Sequence, residues 1–201
     1  MSRLRRSFYE RYTPTVARDF LGCRLVRVMH GKRLSGIIVE TEAYRGARDP
    51  ASHAYEGRTA RNSVMFGEAG RAYVYFTYGF HHCLNVTTEP VGKPGAVLIR
   101  AIEPTEGAEE MVRNRGPTTR EHVADGPGKL TQALRIDRSL NDDDLVTSGR
   151  LFLEEGTRDG EVGKSSRVGI NKGTEREWRF FVEGNESVSG ARPSLTEAQN
   201  P

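Results

Sequence analysis

The chain has 201 residues, 36% apolar and 28% charged, which suits one domain with a sizeable core and little surplus apolar surface. No apolar run nears the roughly 20 residues of a membrane span, and two cysteines cannot build a disulfide framework. The Arg-rich N-terminus has no apolar stretch behind it to make a secretory signal, so an intracellular protein with reduced thiols and no membrane partner is expected; a monomer is a separate expectation that nothing in the sequence fixes. Charge is divided unevenly: residues 1–100 carry 16 Lys/Arg against 8 Asp/Glu, and residues 101–201 carry 14 against 19. Twenty-five of the 30 basic residues are Arg, which binds phosphate bidentately, so an anionic partner such as nucleic acid fits. A solvated basic surface fits as well.

In chain order, Thr13-Pro14 opens a short helix that Thr13 caps and Gly22 follows. Residues 23–29 and 36–44 are β-branched runs joined by the polar link 30–33, a hairpin pattern. Residues 71–78 and 82–88 form a second pair turning near Gly79, and 96–102 is a further strand. Helical signals cover 105–113 and 128–136, a final strand 178–183, and the polar stretch from Ser187 to Pro201 is expected to be a frayed tail. Strands joined by hairpins, with helices at the ends and after residue 104, predict a single α+β domain over residues 1–186 with a mostly antiparallel sheet.

If Gly36 to Tyr44 is a strand, Ile38, Glu40, Glu42 and Tyr44 share one face. A solvated face explains two carboxylates and a phenol there; equally, one carboxylate could act as a general base beside an aromatic that stacks on a planar ligand. The segment from Tyr73 to Phe80 is crowded with aromatics, and Tyr78 at the expected hairpin tip is either a surface residue or a wedge between stacked bases. The Gly126-Pro127-Gly128-Lys129 stretch offers backbone N–H groups and Lys129 to a DNA phosphate, though an ordinary turn accounts for it too. His53, His81, His82 and Cys83 lack metal-ligand spacing and no nucleotide or cofactor motif is present, so neither metal nor cofactor is expected.

Together the segments resemble the alkyladenine (3-methyladenine) DNA glycosylase family. The matching stretches are VETEAY at 39–44, His53, RN..MF at 61–66, YVYFTYG at 73–79, CLNV at 83–86, AVLIRAIEP at 96–104, GPGKLTQAL at 126–134 and RVGI at 167–170. The resemblance implies that the sheet is curved and the helices peripheral, and that the protein is a monofunctional base-excision repair enzyme on double-stranded DNA. Such an enzyme flips alkylated or deaminated purines out of the stack and hydrolyses the N-glycosidic bond.

By the same resemblance Glu42 is the carboxylate that activates water and Arg100 helps hold that water. Tyr44, His53 and Tyr75 surround the flipped base, Leu98 adds an apolar contact, and Asn85 rejects normal guanine. Tyr78 fills the gap in the duplex. The chain departs most from some relatives at Phe80-His81-His82, just after that wedge. The rival reading is a nucleic-acid-binding module of this fold that excises nothing, which would need the basic half and the aromatic tip but not Glu42 beside Arg100.

Overall fold

The computed structural model describes residues 2–77, 79 and 81–190. The chain runs α1 (Arg6–Tyr9), α2 (Thr13–Asp19), β1 (Arg24–Met29), β2 (Lys32–Arg45), β3 (Ala72–Thr77), β4 (His81–Thr88), β5 (Gly95–Glu106), α3 (Ala108–Arg115), α4 (Pro127–Ala133), β6 (Leu151–Glu154), β7 (Val162–Ser165) and β8 (Arg179–Val182). Among the described residues every strand pairing is antiparallel, in the order β3-β4-β5-β2-β1-β6, with β8 joining β2 and β7 joining β8. This is the expected α+β architecture, one sheet with helices at its periphery.

The organising element is β2, fourteen residues long. Its first half pairs with β1 through a two-residue turn in which His30 and Gly31 have φ of 48° and 73°, the twist-compatible geometry of a tight hairpin. Its second half pairs with β8, and β5 runs along its other side. The β2–β5 register slips three times, once near the start, where Ser35 faces Glu106 and Gly36 faces Pro104, and twice further along: Ile38 faces Ile102, Glu40 faces Ala101 and Thr41 faces Ile99, which leaves Val39 and Arg100 as inserted residues. Bulges of this kind bend a strand and re-aim side chains.

The core lies between the sheet and α2, α3 and α4, and includes Phe20, Ile38, Leu84, Ile99, Met111 and Leu130. A smaller cluster of Ala54, Met65, Tyr73 and Ala96 packs under the region described below.

Several local expectations shift. Thr13 lies inside α2 rather than capping it; its N–H and hydroxyl both donate to the buried Glu89 carboxylate, at 3.0 and 2.9 Å, so a distant side chain satisfies the helix start. The helix expected from residue 105 begins at Ala108, because Pro104 and Glu106 still pair with β2. Helix α4 ends early: Arg135 adopts φ 47°, and the Ile136 N–H reaches back to the Thr131 carbonyl at 2.8 Å. Strands β6 and β7 were too short, at four residues each, to signal themselves. Of the expected tail, Ser187 and Ser189 are buried against the domain, and residues 191–201 lie outside the described residues.

Candidate active site

The residues singled out on β2 to β5 converge on one face of the sheet. Tyr73 pairs with Asn85, Asn85 with Leu98, Leu98 with Glu42, and Glu42 with Arg179, a single cross-strand row over five strands. Because side chains alternate, the neighbours two residues away join it: Tyr75, Cys83, Ala96 and Tyr44. All of these groups except Arg179, together with His53, Arg100 and the segment near Val168, line a cavity of about 360 Å³, within the range of small-ligand sites.

Glu42 and Glu40 are both 0% exposed, which rules out the solvated strand face. Glu42 lines the cavity; Glu40 lies behind it. Glu42 Oε2 accepts from the Tyr44 hydroxyl at 2.7 Å, and Oε1 accepts from the Val168 backbone N–H at 2.7 Å. Arg100 Nη1 stands 3.3 Å from the same Oε1, while its Nε donates to Glu40 at 2.8 Å. The bulge on β5 puts Arg100 opposite the Glu40–Glu42 stretch, so the expected Glu42–Arg100 pairing forms.

The aromatic walls are held from behind. Arg167 and Asp49, both fully buried, form a bidentate pair at 2.6 and 2.8 Å; the guanidinium also bonds the Ala43 carbonyl and sits 4.7 Å from the Tyr44 ring centroid. This pair anchors the loop that delivers the Val168 N–H. His53 Nδ1 is 2.9 Å from the Tyr73 hydroxyl, and its ring meets Tyr75 edge-on at 4.6 Å. Burial, then the nearby Arg61 charge, lowers the His53 pKa, so the imidazole is held neutral. Asn62, within the RN..MF stretch, shapes the loop carrying His53 by donating to the His53 and Gly57 carbonyls at 2.8 and 2.9 Å.

Asn85 Nδ2 donates to the Tyr73 carbonyl at 3.1 Å and Leu98 is 5% exposed beside it. Lys129 does not line the cavity; its ammonium bonds Asp125 at 2.7 Å and its side chain is 44% exposed. Tyr78 and Phe80 lie outside the described residues; Gly79 between them has φ 71°, as a hairpin tip requires. Among the described residues no three His, Cys, Asp or Glu side chains group to hold a metal, and no helix is long and apolar enough to cross a membrane.

Four participants escaped sequence reasoning. Tyr73 was visible only as one aromatic among several. The Val168 N–H has no side-chain signature, and Asp49 and Arg167 pair across 118 residues of chain.

A family model described as methylpurine-DNA glycosylase matches residues 7–186. Three relatives, all provisionally named 3-methyladenine DNA glycosylases, align along nearly their full length. The protein from Carboxydothermus hydrogenoformans is 47% identical over 92% of this chain and 98% of its own. That from Chlorobium phaeovibrioides is 47% identical over 96% and 100%, and that from Methanocella arvoryzae 48% identical over 94% and 97%. With the family model spanning most of its length and such relatives at nearly half identity, the chain belongs to the methylpurine-DNA glycosylase family.

Proposed function

We propose that this protein, acting as a monomer on double-stranded DNA, flips out alkylated or deaminated purines (3-methyladenine, 7-methylguanine, hypoxanthine, ethenoadenine) and hydrolyses their N-glycosidic bonds. The observation that carries the reading is Glu42, a carboxylate with 0% exposure on the wall of an aromatic-lined cavity. A module that only binds nucleic acid has no use for such a group.

A base inside a duplex is closed to attack at its sugar carbon, so the nucleotide must leave the stack. In this reading the purine lies against Tyr44 on one side and His53 and Tyr75 on the other. Electron-rich rings favour a cationic methylpurine, and a neutral imidazole adds no opposing charge. Glu42 takes a proton from a water near Arg100 Nη1. That water's oxygen bonds to C1′ as the C1′–N bond breaks and its electron pair leaves with the base. The carboxylate also stabilises the oxocarbenium-like sugar. Water, and no lysine, is the nucleophile, so the product is an abasic site in an uncut strand.

Tyr78 is the proposed wedge in the vacated stack, and Asn85 the group that clashes with the 2-amino substituent of guanine. Lys129 is half-exposed and pairs with Asp125, which partly neutralises the charge it would offer a backbone phosphate, so its proposed share of DNA affinity is small.

The test uses duplex oligonucleotides carrying each lesion, with alkaline cleavage reporting abasic sites. Glu42→Gln should slow excision by roughly 100- to 10,000-fold, the usual worth of a general base, while still binding the duplex. Excision at the parent rate by that variant would remove the mechanism.

A further inference from the structure

Glu40 precedes Glu42 by two residues on β2, has 0% exposure and lines no part of the cavity. It nevertheless has the densest set of donors around the site. Its Oε1 accepts from Arg100 Nε at 2.8 Å, Arg179 Nε at 2.6 Å and the Ser189 hydroxyl at 2.8 Å; its Oε2 accepts from the Ser189 N–H at 2.8 Å. Arg179 is tied in turn to the Ser165 hydroxyl and the Ser189 carbonyl, at 3.1 and 3.3 Å. Burial alone would raise the Glu40 pKa, but Arg100, Ser189 and Arg179 outweigh it and hold the carboxyl below its ordinary value.

The consequence falls on Arg100. A guanidinium beside a lone carboxylate closes into a two-pronged pair through adjacent N–H groups. Here that closure is blocked. Arg100 Nε is spent on Glu40 and Nη2 on the Ser189 hydroxyl at 3.2 Å, leaving Nη1 to face Glu42 across 3.3 Å. A Glu42 clamped by two guanidinium hydrogens would be a poorer acceptor of a proton from water.

We propose that Glu40, with Arg179 and Ser189, is a positioning element that holds Arg100 to a single long contact with Glu42 and so leaves that carboxylate free to activate water. The inference rests on the proposed role of Glu42. It also makes residues 187–190, which dock through Ser189, part of the working site.

The experiment is single-turnover excision from a hypoxanthine duplex, with duplex affinity and thermal melting measured alongside. Glu40→Gln should slow excision about tenfold or more with affinity unchanged, the loss of one charge-assisted tether. Ser189→Ala, which removes one hydroxyl from both partners, should slow it about threefold; it carries the test if Glu40→Gln melts too low to assay. In an Arg100→Gln background, Glu40→Gln should have no further effect, because it acts through the guanidinium. Parent-like rates in Glu40→Gln, or in Ser189→Ala where that variant carries the test, overturn the proposal, as do losses that multiply with Arg100→Gln. Glu42→Gln is the control that separates the two readings: if it excises normally, the Glu42 mechanism fails. If it is inactive while Glu40→Gln is unimpaired, only the positioning role fails.

Discussion

The Tyr44 hydroxyl donates to Glu42 Oε2 at 2.7 Å, so one side chain both walls the cavity and orients the carboxylate inside it. Burial first, and the adjacent Glu42 charge second, push the phenol far above its ordinary value of 10.0, which keeps it an O–H donor at any working pH. Tyr44→Phe separates the two duties. The ring survives, so lesion affinity should hold, while the excision rate should fall about tenfold with the loss of a hydrogen bond to a charged acceptor. Tyr44→Ala should lower affinity as well. Single-turnover rates and duplex titrations check this, and equal affinity losses in both variants would deny the ring a stacking role.

The buried Asp49–Arg167 pair carries the loop that supplies the Val168 N–H to Glu42. Asp49→Asn leaves a guanidinium uncompensated in a solvent-free site, which costs about 3–5 kcal/mol. For a chain of this size that corresponds to a melting temperature lower by on the order of 10 °C. Excision should fall even at temperatures where the variant is folded, because Val168 is no longer held against the carboxylate. Normal excision by the folded variant would make the pair purely structural.

The cavity face was legible in the sequence because strand alternation is short-range. Glu40, Glu42 and Tyr44 do share a face, as do Tyr73 and Tyr75. What alternation could not supply was the surroundings. Glu40 and Glu42 read equally well as a solvated face, since the groups that bury Glu40 arrive from β8 and from Ser189, 149 residues away. Arg100 sits where it does because of a register slip, which leaves no mark in residue type. Thr13 had the composition of a helix cap, but Glu89 performs that task from 76 residues away. Local periodicity thus put these side chains on one face, the family resemblance singled out Glu42 from Glu40, and the long-range polar contacts that distinguish the two carboxylates were invisible to both.

His53 gives the protein an acid-sensitive element. Burial, and then Arg61, lowers its pKa from the ordinary 6.5, so the folded state takes up this proton less readily than the unfolded chain. The stability it contributes is complete above about pH 6.5 and is lost as pH falls through the lower folded value. Melting temperature should therefore drop between about pH 7.5 and 5.5 in the parent and drop less in His53→Gln. Identical slopes would place the sensitivity elsewhere. Only once pH falls below the lowered folded value does a protonated imidazole oppose a cationic base, and there release of 7-methylguanine should decline before that of hypoxanthine.

Asn85 tests selectivity. Its Nδ2 is committed to the Tyr73 carbonyl at 3.1 Å, and its strand partner Leu98 closes the neighbouring position, so the amide has little freedom to yield to a larger base. In the proposed reading a 2-amino group entering here meets an obstacle, a penalty on the wrong base rather than a gain on the right one. The lesion 7-methylguanine carries the same amine, but its cationic ring leaves readily enough to offset the penalty, and neutral guanine has no such compensation. Asn85→Ala should raise release of unmodified guanine about tenfold, the worth of one such clash, while hypoxanthine, which lacks that amine, is excised at nearly the parent rate. Prolonged incubation of undamaged duplex with alkaline cleavage at guanine reads this out. If guanine release stays at the parent level, rejection operates before the base reaches the cavity, at the flipping step.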